Sequence, residues 1–393
     1  MTRRLVQQLH LWVGLLLCLP LAVLGLSGSL LVYEDWSRVF DPHRVAASGE
    51  EKPIGDIIAA ARATAPEGYS PAFYRAPEGP GDFASVRLVA RPQRQEPGGS
   101  AAPSQAAGVP LRVEVDPMSL QGWGNLPSSR IIAFVHTLHA NFFLSDRRLV
   151  GWFGVAMVVL GISGIVNWWP PRRRWREGFF VRGNARGAAL YRQLHGATGI
   201  WAYAVFIVVS LSGVYLAFPQ TVRGAVDIVA PARDLRAAAA SVKVGRVAGA
   251  AAMPVDDAVA LARHSVAEAR VDFVGLPSRP DQPYRITLLR PGQRRGQPAV
   301  TVFVDPWTGQ IVKTVDPRDY SAGETLIAWQ HLLHSGEGAG PVWKLLVFLV
   351  GFVPSLFALT GVSMWWLKRV QRLAAAARTA AAASSPTAGR AAE

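Results

Sequence analysis

Cysteine is almost absent: Cys18 is the only one in 393 residues. That excludes an intrachain disulfide framework, a cysteine-ligated iron–sulfur cluster and the paired-cysteine attachment of a c-type haem. Charge is scarce too, at 17% of residues, and acids are the rarer sign, with 27 Asp and Glu against 41 Lys and Arg. Four stretches carry no charged residue at all: 11–33, 149–171, 196–222 and 345–367. Such a chain is too apolar for an ordinary soluble protein. Between the stretches there is no legible nucleophile–base pair, glycine-rich phosphate loop or acidic metal cluster.

What is present is hydrophobicity, half of all residues, concentrated in those four stretches. About twenty apolar residues span the hydrocarbon core of a bilayer, so each predicts a transmembrane helix. The first follows Arg3 and Arg4 as a signal peptide would, but its apolar run is too long and no clean cleavage site follows, so it reads as a retained span. Tyr33 and Trp36 at its end suit an interfacial aromatic belt. The segment Arg172 to Arg192 holds seven arginines and a single acid, Glu177. With Arg3 and Arg4 at one end and Lys368, Arg369 and Arg372 at the other, this places both termini and the short loop in the cytoplasm. The formal charge of +14 then reads as topology and anionic-lipid contact, with no nucleic-acid partner.

The sequence repeats itself in order. Gln8-Leu9-His10 with Gly14 matches Gln193-Leu194-His195 with Gly199, and Leu26-Ser27-Gly28 matches Leu211-Ser212-Gly213. Farther on, Val115-Asp116-Pro117 matches Val304-Asp305-Pro306, His136 and His139 match His331 and His334, and Gly164 with Trp168-Trp169 matches Gly361 with Trp365-Trp366. The fold class this predicts is a membrane α-helical protein with four transmembrane helices in two parallel repeats, each with an α+β insert on the periplasmic side. The expected divisions are a first span at 1–33, an insert at 34–129, an HxxH segment and second span at 130–171, and a loop at 172–193. The second half gives a span at 194–222, an insert at 223–323, an HxxH segment and span at 324–369, and a disordered cytoplasmic tail at 370–393. In the inserts, 54–64 and 255–269 read as helices; 83–90, 111–116, 271–276, 284–289, 299–304 and 310–314 read as strands. A Pro/Gly/Ala-rich loop, 91–109, separates the first two strands. Each span also ends in a small pair, Ser27-Gly28, Ser163-Gly164, Ser212-Gly213 or Thr360-Gly361, which reads as a close-packing device.

Six of eight histidines fall into the repeats: His10 with His195, His136 with His331, and His139 with His334; His43 and His264 have no mates. His10 and His195 begin their helices on the cytoplasmic side and should face each other, with Gly14 and Gly199 one turn on leaving room for a flat ring. The HxxH histidines lie at the opposite membrane surface. Neutral imidazole is the commonest haem-iron donor, so two or more non-covalent b haems are expected. A zinc or copper site, with Glu324 and Glu337 near the second HxxH, is the competing reading; purely structural histidines are another.

In this order the histidines, the Ser/Thr-Gly pairs, the Trp-Trp exits and the paired inserts resemble the PepSY-associated transmembrane family over roughly residues 1–370. The resemblance implies an iron-regulated inner-membrane ferrisiderophore reductase with PepSY-like inserts, holding haem through such histidines. Electrons would pass to a ferric siderophore in the periplasm, releasing ferrous iron. Some relatives carry a fused cytoplasmic flavin or nicotinamide domain that this sequence lacks, so the expected donor is a membrane quinol or a separate cytoplasmic reductase. The two inserts would wall a substrate cleft offering Tyr74, Arg75, Trp123 and Trp307. PepSY-type inserts are also associated with peptidase regulation, so a regulatory binding protein without redox activity is the alternative.

Overall fold

The computed structural model describes residues 2–33, 48–79, 81–90, 110–124, 127–171, 173, 175–247 and 249–384. Trp36, His43 and the 91–109 loop lie outside them. Among the described residues, four helices are long and apolar enough to cross a membrane: α1 (Thr2–Val32), α4 (Arg148–Trp168), α6 (Gly187–Ala217), and a fourth span made of α11 (Pro341–Val350) and α12 (Val353–Ser384). They pack in a ring. α1 touches α4 and the fourth span, and α6 touches the same two, so α1 and α6 face each other diagonally.

The fourth span is broken at Gly351-Phe352, with no counterpart break in α4. The cause is Pro354, which has no N–H to give to the preceding turn. The Ser29 hydroxyl of α1 donates to the carbonyl of Phe348 at 2.7 Å, satisfying an acceptor that the break frees from its helix. Gly25 and Gly351 meet here: a Cβ built on Gly25 would lie 3.0 Å from the Pro354 ring. The stretch beyond residue 370, expected to be disordered, is helical as far as Ser384; alanine, which dominates it, is the best helix former.

Between the spans lie the inserts. The first contributes α2 (Ile54–Thr64) and strands β1 (Tyr69–Arg75), β2 (Ala84–Ala90), β3 (Leu111–Val115) and β4 (Gly122–Gly124). The second contributes α7 (Pro219–Asp227), α8 (Leu235–Ala240), α9 (Val255–Ser265), then β5 (Arg270–Gly275), β6 (Tyr284–Leu289), β7 (Val300–Val304) and β8 (Ile311–Val315). Strand β1 is not legible in the sequence because Pro71 interrupts it, and the register shifts between Pro71 and Phe73.

The inserts do not form two separate units. All eight strands make one antiparallel sheet in the order β4-β3-β2-β1-β5-β6-β7-β8. The seam is β1 against β5, with Tyr74 opposite Val274. Ile57 and Ala61 of α2 and Ala258 and Ala262 of α9 share one core with Val86, Leu88, Val113, Ile286, Leu288 and Val302, all almost fully buried. Each buried Val, Leu or Ile there contributes about 1.5–3 kcal/mol. The seam is also pinned by charge. Asp256, in the first turn of α9, accepts from the amides of Ile54 and Gly55 at 2.8 and 3.1 Å, capping α2 from the other half of the chain.

Two further helices connect sheet to bundle. α3 (Pro127–Asn141) precedes α4, and α10 (Ala322–Ser335) precedes α11. α3 packs on α1 and α10 packs on α6. Ser321 and Glu324 form a reciprocal cap at the start of α10, and Gly336, with φ 83°, ends it. A turn through Phe142 and Phe143, with φ 53° and 61°, ends α3.

Candidate functional site: two facing histidine pairs

His10 of α1 and His195 of α6 face each other across the bundle with ring centres 6.2 Å apart and planes at 78°. This pair lies at the end that carries the arginine-rich loop. His139 of α3 and His334 of α10 face each other at the sheet end, with ring centres 5.9 Å apart and planes at 43°. The pairs are well separated. His139 sits against Ser27, and the distance from His10 to Ser27 along α1 is about 25 Å at ~1.5 Å per residue.

Every one of these four imidazoles is seated the same way. His10 Nδ1 lies 2.8 Å from the Ser163 hydroxyl, and His195 Nδ1 lies 2.8 Å from that of Thr360. His139 Nδ1 lies 3.1 Å from the Ser27 hydroxyl and 3.0 Å from the Leu24 carbonyl. His334 Nδ1 lies 3.3 Å from the Ser212 hydroxyl and 2.9 Å from the Val209 carbonyl. Each hydroxyl donates its own proton to a backbone carbonyl one turn back in its helix. Its oxygen is therefore left to accept, and a carbonyl can only accept. Nδ1 therefore carries the ring proton in His139 and His334, whose carbonyl partners can only accept, and the hydroxyls' own bonds favour the same tautomer in His10 and His195, which leaves the Nε2 lone pair for a metal.

The glycine after each hydroxyl is the floor on which the ring rests. A Cβ built on Gly28 would lie 2.9 Å from His139 Cε1, and on Gly213 it would lie 3.0 Å from His334 Cε1. At Gly164 and Gly361 the distances to His10 and His195 are 3.4 and 3.9 Å. So the four Ser/Thr-Gly pairs, read from sequence as packing devices, are the histidine seats. Their signal in the sequence is the equal spacing of His10 to Ser27 and His195 to Ser212. Nothing there reveals that Ser27 serves His139 rather than His10.

The pairs suit haem. An iron about 2 Å from each of two imidazole nitrogens holds the ring centres about 6 Å apart, which both pairs match. Burial, and then the neighbouring His334, push His139 down to about 3, and burial lowers His334 as well. Both are outside the four spans, and both are neutral donors at physiological pH. Phe357 leans on His195, with ring centres 4.6 Å apart. Gly14 and Gly199 stand opposite Leu160 and Phe357, 3.9 and 3.7 Å from a built Cβ, rather than facing open space.

Three expectations change. His136 and His331 are exposed one turn before His139 and His334 on the same helices, and meet no partner ring among the described residues. Glu324 is engaged elsewhere: it is buried, binds Arg233 and caps α10. No three His, Cys, Asp or Glu gather as a metal cluster among the described residues, so a closed zinc site has no donor set there. Nor does a cleft separate the inserts, since β1 and β5 pair across it. Tyr74 is only 3% exposed in the shared core and cannot meet a substrate. Trp123 packs on Phe83, and Trp307 donates to the Pro280 carbonyl. A cleft of about 350 Å³ opens instead beside α10, where Arg290, Arg318, Tyr320 and Trp329 line it.

The family of the PepSY-associated TM region matches residues 7–368. A search of curated proteins finds no match.

Proposed function

The chain belongs to the PepSY-associated transmembrane family, and from that premise we propose that it is a haem-holding inner-membrane reductase serving ferric siderophores. The observation that carries the reading is the geometry of four histidines: each is held through Nδ1, and the four form two facing pairs with ring centres 6.2 and 5.9 Å apart. A structural histidine needs no such uniform arrangement. His10 with His195 would hold one b haem, and His139 with His334 a second. Bound there, haem supplies a one-electron carrier at each end of the bundle. The chain's own residues orient the imidazoles through Ser163, Thr360, Ser27 and Ser212, and the apolar bundle keeps water from the path between them.

Orientation follows from charge. The arginine-rich loop end is cytoplasmic and the sheet end periplasmic, with the halves related as parallel repeats about an axis along the membrane normal. The palindromic order of the sheet and the like seating of the paired histidines support that layout. Electrons then leave near His139 and His334, at the foot of the sheet. A ferric siderophore is the proposed acceptor; Arg318, Tyr320 and Trp329 give the cleft beside α10 cationic and aromatic groups for an anionic complex, while Arg290 there is paired with Asp316. Ferrous iron binds hard oxygen chelators more weakly, so reduction releases it.

An absorbance spectrum of the purified protein tests the cofactor. A Soret band with two bis-imidazole haems per chain is expected; its absence after haem supplementation would end the reading. Dithionite-reduced protein should then be reoxidised by a ferric siderophore with ferrous iron trapped by a chelator.

A further inference from the structure

Among the described residues only two buried side-chain polar atoms have no hydrogen-bond partner, and one of them is Asn167 Oδ1. Asn167 stands one turn beyond Ser163-Gly164 on α4, and residues four apart share a helix face. Helical side chains lean toward the N-terminus of their helix, so this carboxamide leans back toward the seat of His10. The other three seats have no such group. The residue four beyond Ser27 is Leu31, beyond Ser212 is Leu216, and beyond Thr360 is Met364. Asn167 is therefore not part of the seat, and a buried carbonyl oxygen without a donor is costly in an apolar bundle. Asn167 itself is only partly buried, and Val166 beside it and Trp169 two residues on are exposed on the outside of the bundle, at 44% and 56%. Asn167 thus joins the interior to the lipid-facing surface.

We propose that Asn167 binds a membrane quinol, one quinol hydroxyl donating to Oδ1, and that this is where electrons enter. An acceptor inside a transmembrane helix calls for a ligand that is lipid-soluble, carries an O–H donor and can give up electrons, and a quinol is all three. The balance is simple. The quinol loses two electrons and two protons, its two O–H bonds breaking as two C=O bonds form. The electrons pass singly toward the haem carrier assigned to His10 and His195, and the protons go to water at the arginine-loop end. The electron-transfer half of the proposal rests on the haem reading; the binding half does not.

The two are separated by experiment on the full-length protein. Haem content is measured first, and decylubiquinol is then supplied anaerobically. Wild type should be reduced. Asn167→Leu should lose about tenfold in the second-order rate, the worth of one hydrogen bond to a buried group. Its haem content, spectrum and dithionite reduction should stay unchanged, and Asn167→Gln should recover part of the rate. A photoreactive azidoquinone reads binding with or without haem: it should label the α4 region of wild type and fail on Asn167→Leu. Equal labelling of both, or equal quinol rates, overturns the proposal. Haem present but not reduced by quinol overturns it and leaves the haem reading standing; no haem with position-dependent labelling does the reverse.

Discussion

Gly28 has no side chain where His139 needs none: a Cβ at residue 28 would come within 2.9 Å of the imidazole Cε1. Its three counterparts are progressively looser, at 3.0 Å for Gly213, 3.4 Å for Gly164 and 3.9 Å for Gly361. The gradation is itself a prediction. Gly28→Ala should push His139 off its hydroxyl and lower the occupancy of the sheet-end haem. Gly361→Ala, in ordinary contact, should leave the loop-end haem intact. Haem stoichiometry of the two variants checks this, and equal loss in both would show that the glycines do not seat the rings.

The HxxH motif should divide in two. His139→Ala with His334→Ala should remove one haem and spare the loop-end haem. His136→Ala with His331→Ala should keep both, since those rings are exposed and unpaired with one another. Reduced-minus-oxidised spectra decide; a haem lost from the second variant would make the exposed histidines ligands. Weakening a seat rather than a ligand, as in Ser27→Ala, should lower haem affinity about 10–100-fold.

The seam between the inserts depends on Asp256, whose carboxylate holds the first amides of α2. Asp256→Ala should destabilise the sheet by about 0.5–2 kcal/mol, the worth of an N-cap. The neighbouring exposed residue offers a control: Asp257→Ala should change little. Denaturant unfolding in detergent, followed by tryptophan fluorescence, would expose the error if both behaved alike.

Glu324 gives the sheet end an acid limit. Its hydrogen bond to Arg233, and the cap to Ser321, hold its carboxyl below the ordinary value. A depressed folded value means that the unfolded chain binds the proton more readily. This stability is present above the ordinary glutamate pKa and is lost as pH falls through the lower folded one. Acid unfolding of the α10 region should therefore steepen below about pH 4.5, and Glu324→Gln should flatten it. A variant with the wild-type acid profile would remove Glu324 from that role.

Much of this protein is written locally. Spans such as Leu149 to Pro171 are set by length and apolarity alone, because the bilayer demands about twenty such residues, and α2 was legible at its observed limits from helical spacing. The histidines could be found, and His10 could be matched to His195, because the repeats keep their order. Pairing in space is another matter. Whether His136 or His139 turns inward depends on the rotation of α3 against α1, which no residue of the motif encodes. Ser27 looks like a packing residue until the fold brings His139, 112 positions away, onto it. The joining of two inserts into one sheet likewise rests on edge strands whose hydrogen bonds carry no side-chain signature: β1 and β5 pair through backbone groups, and Pro71 hides the first. The sequence determined which groups are candidates for holding the proposed flat iron cofactor and which ends of the spans they lie near. Only the tertiary structure decided which nitrogen each ring offers, because the hydroxyl or carbonyl that holds the other nitrogen comes from a different helix.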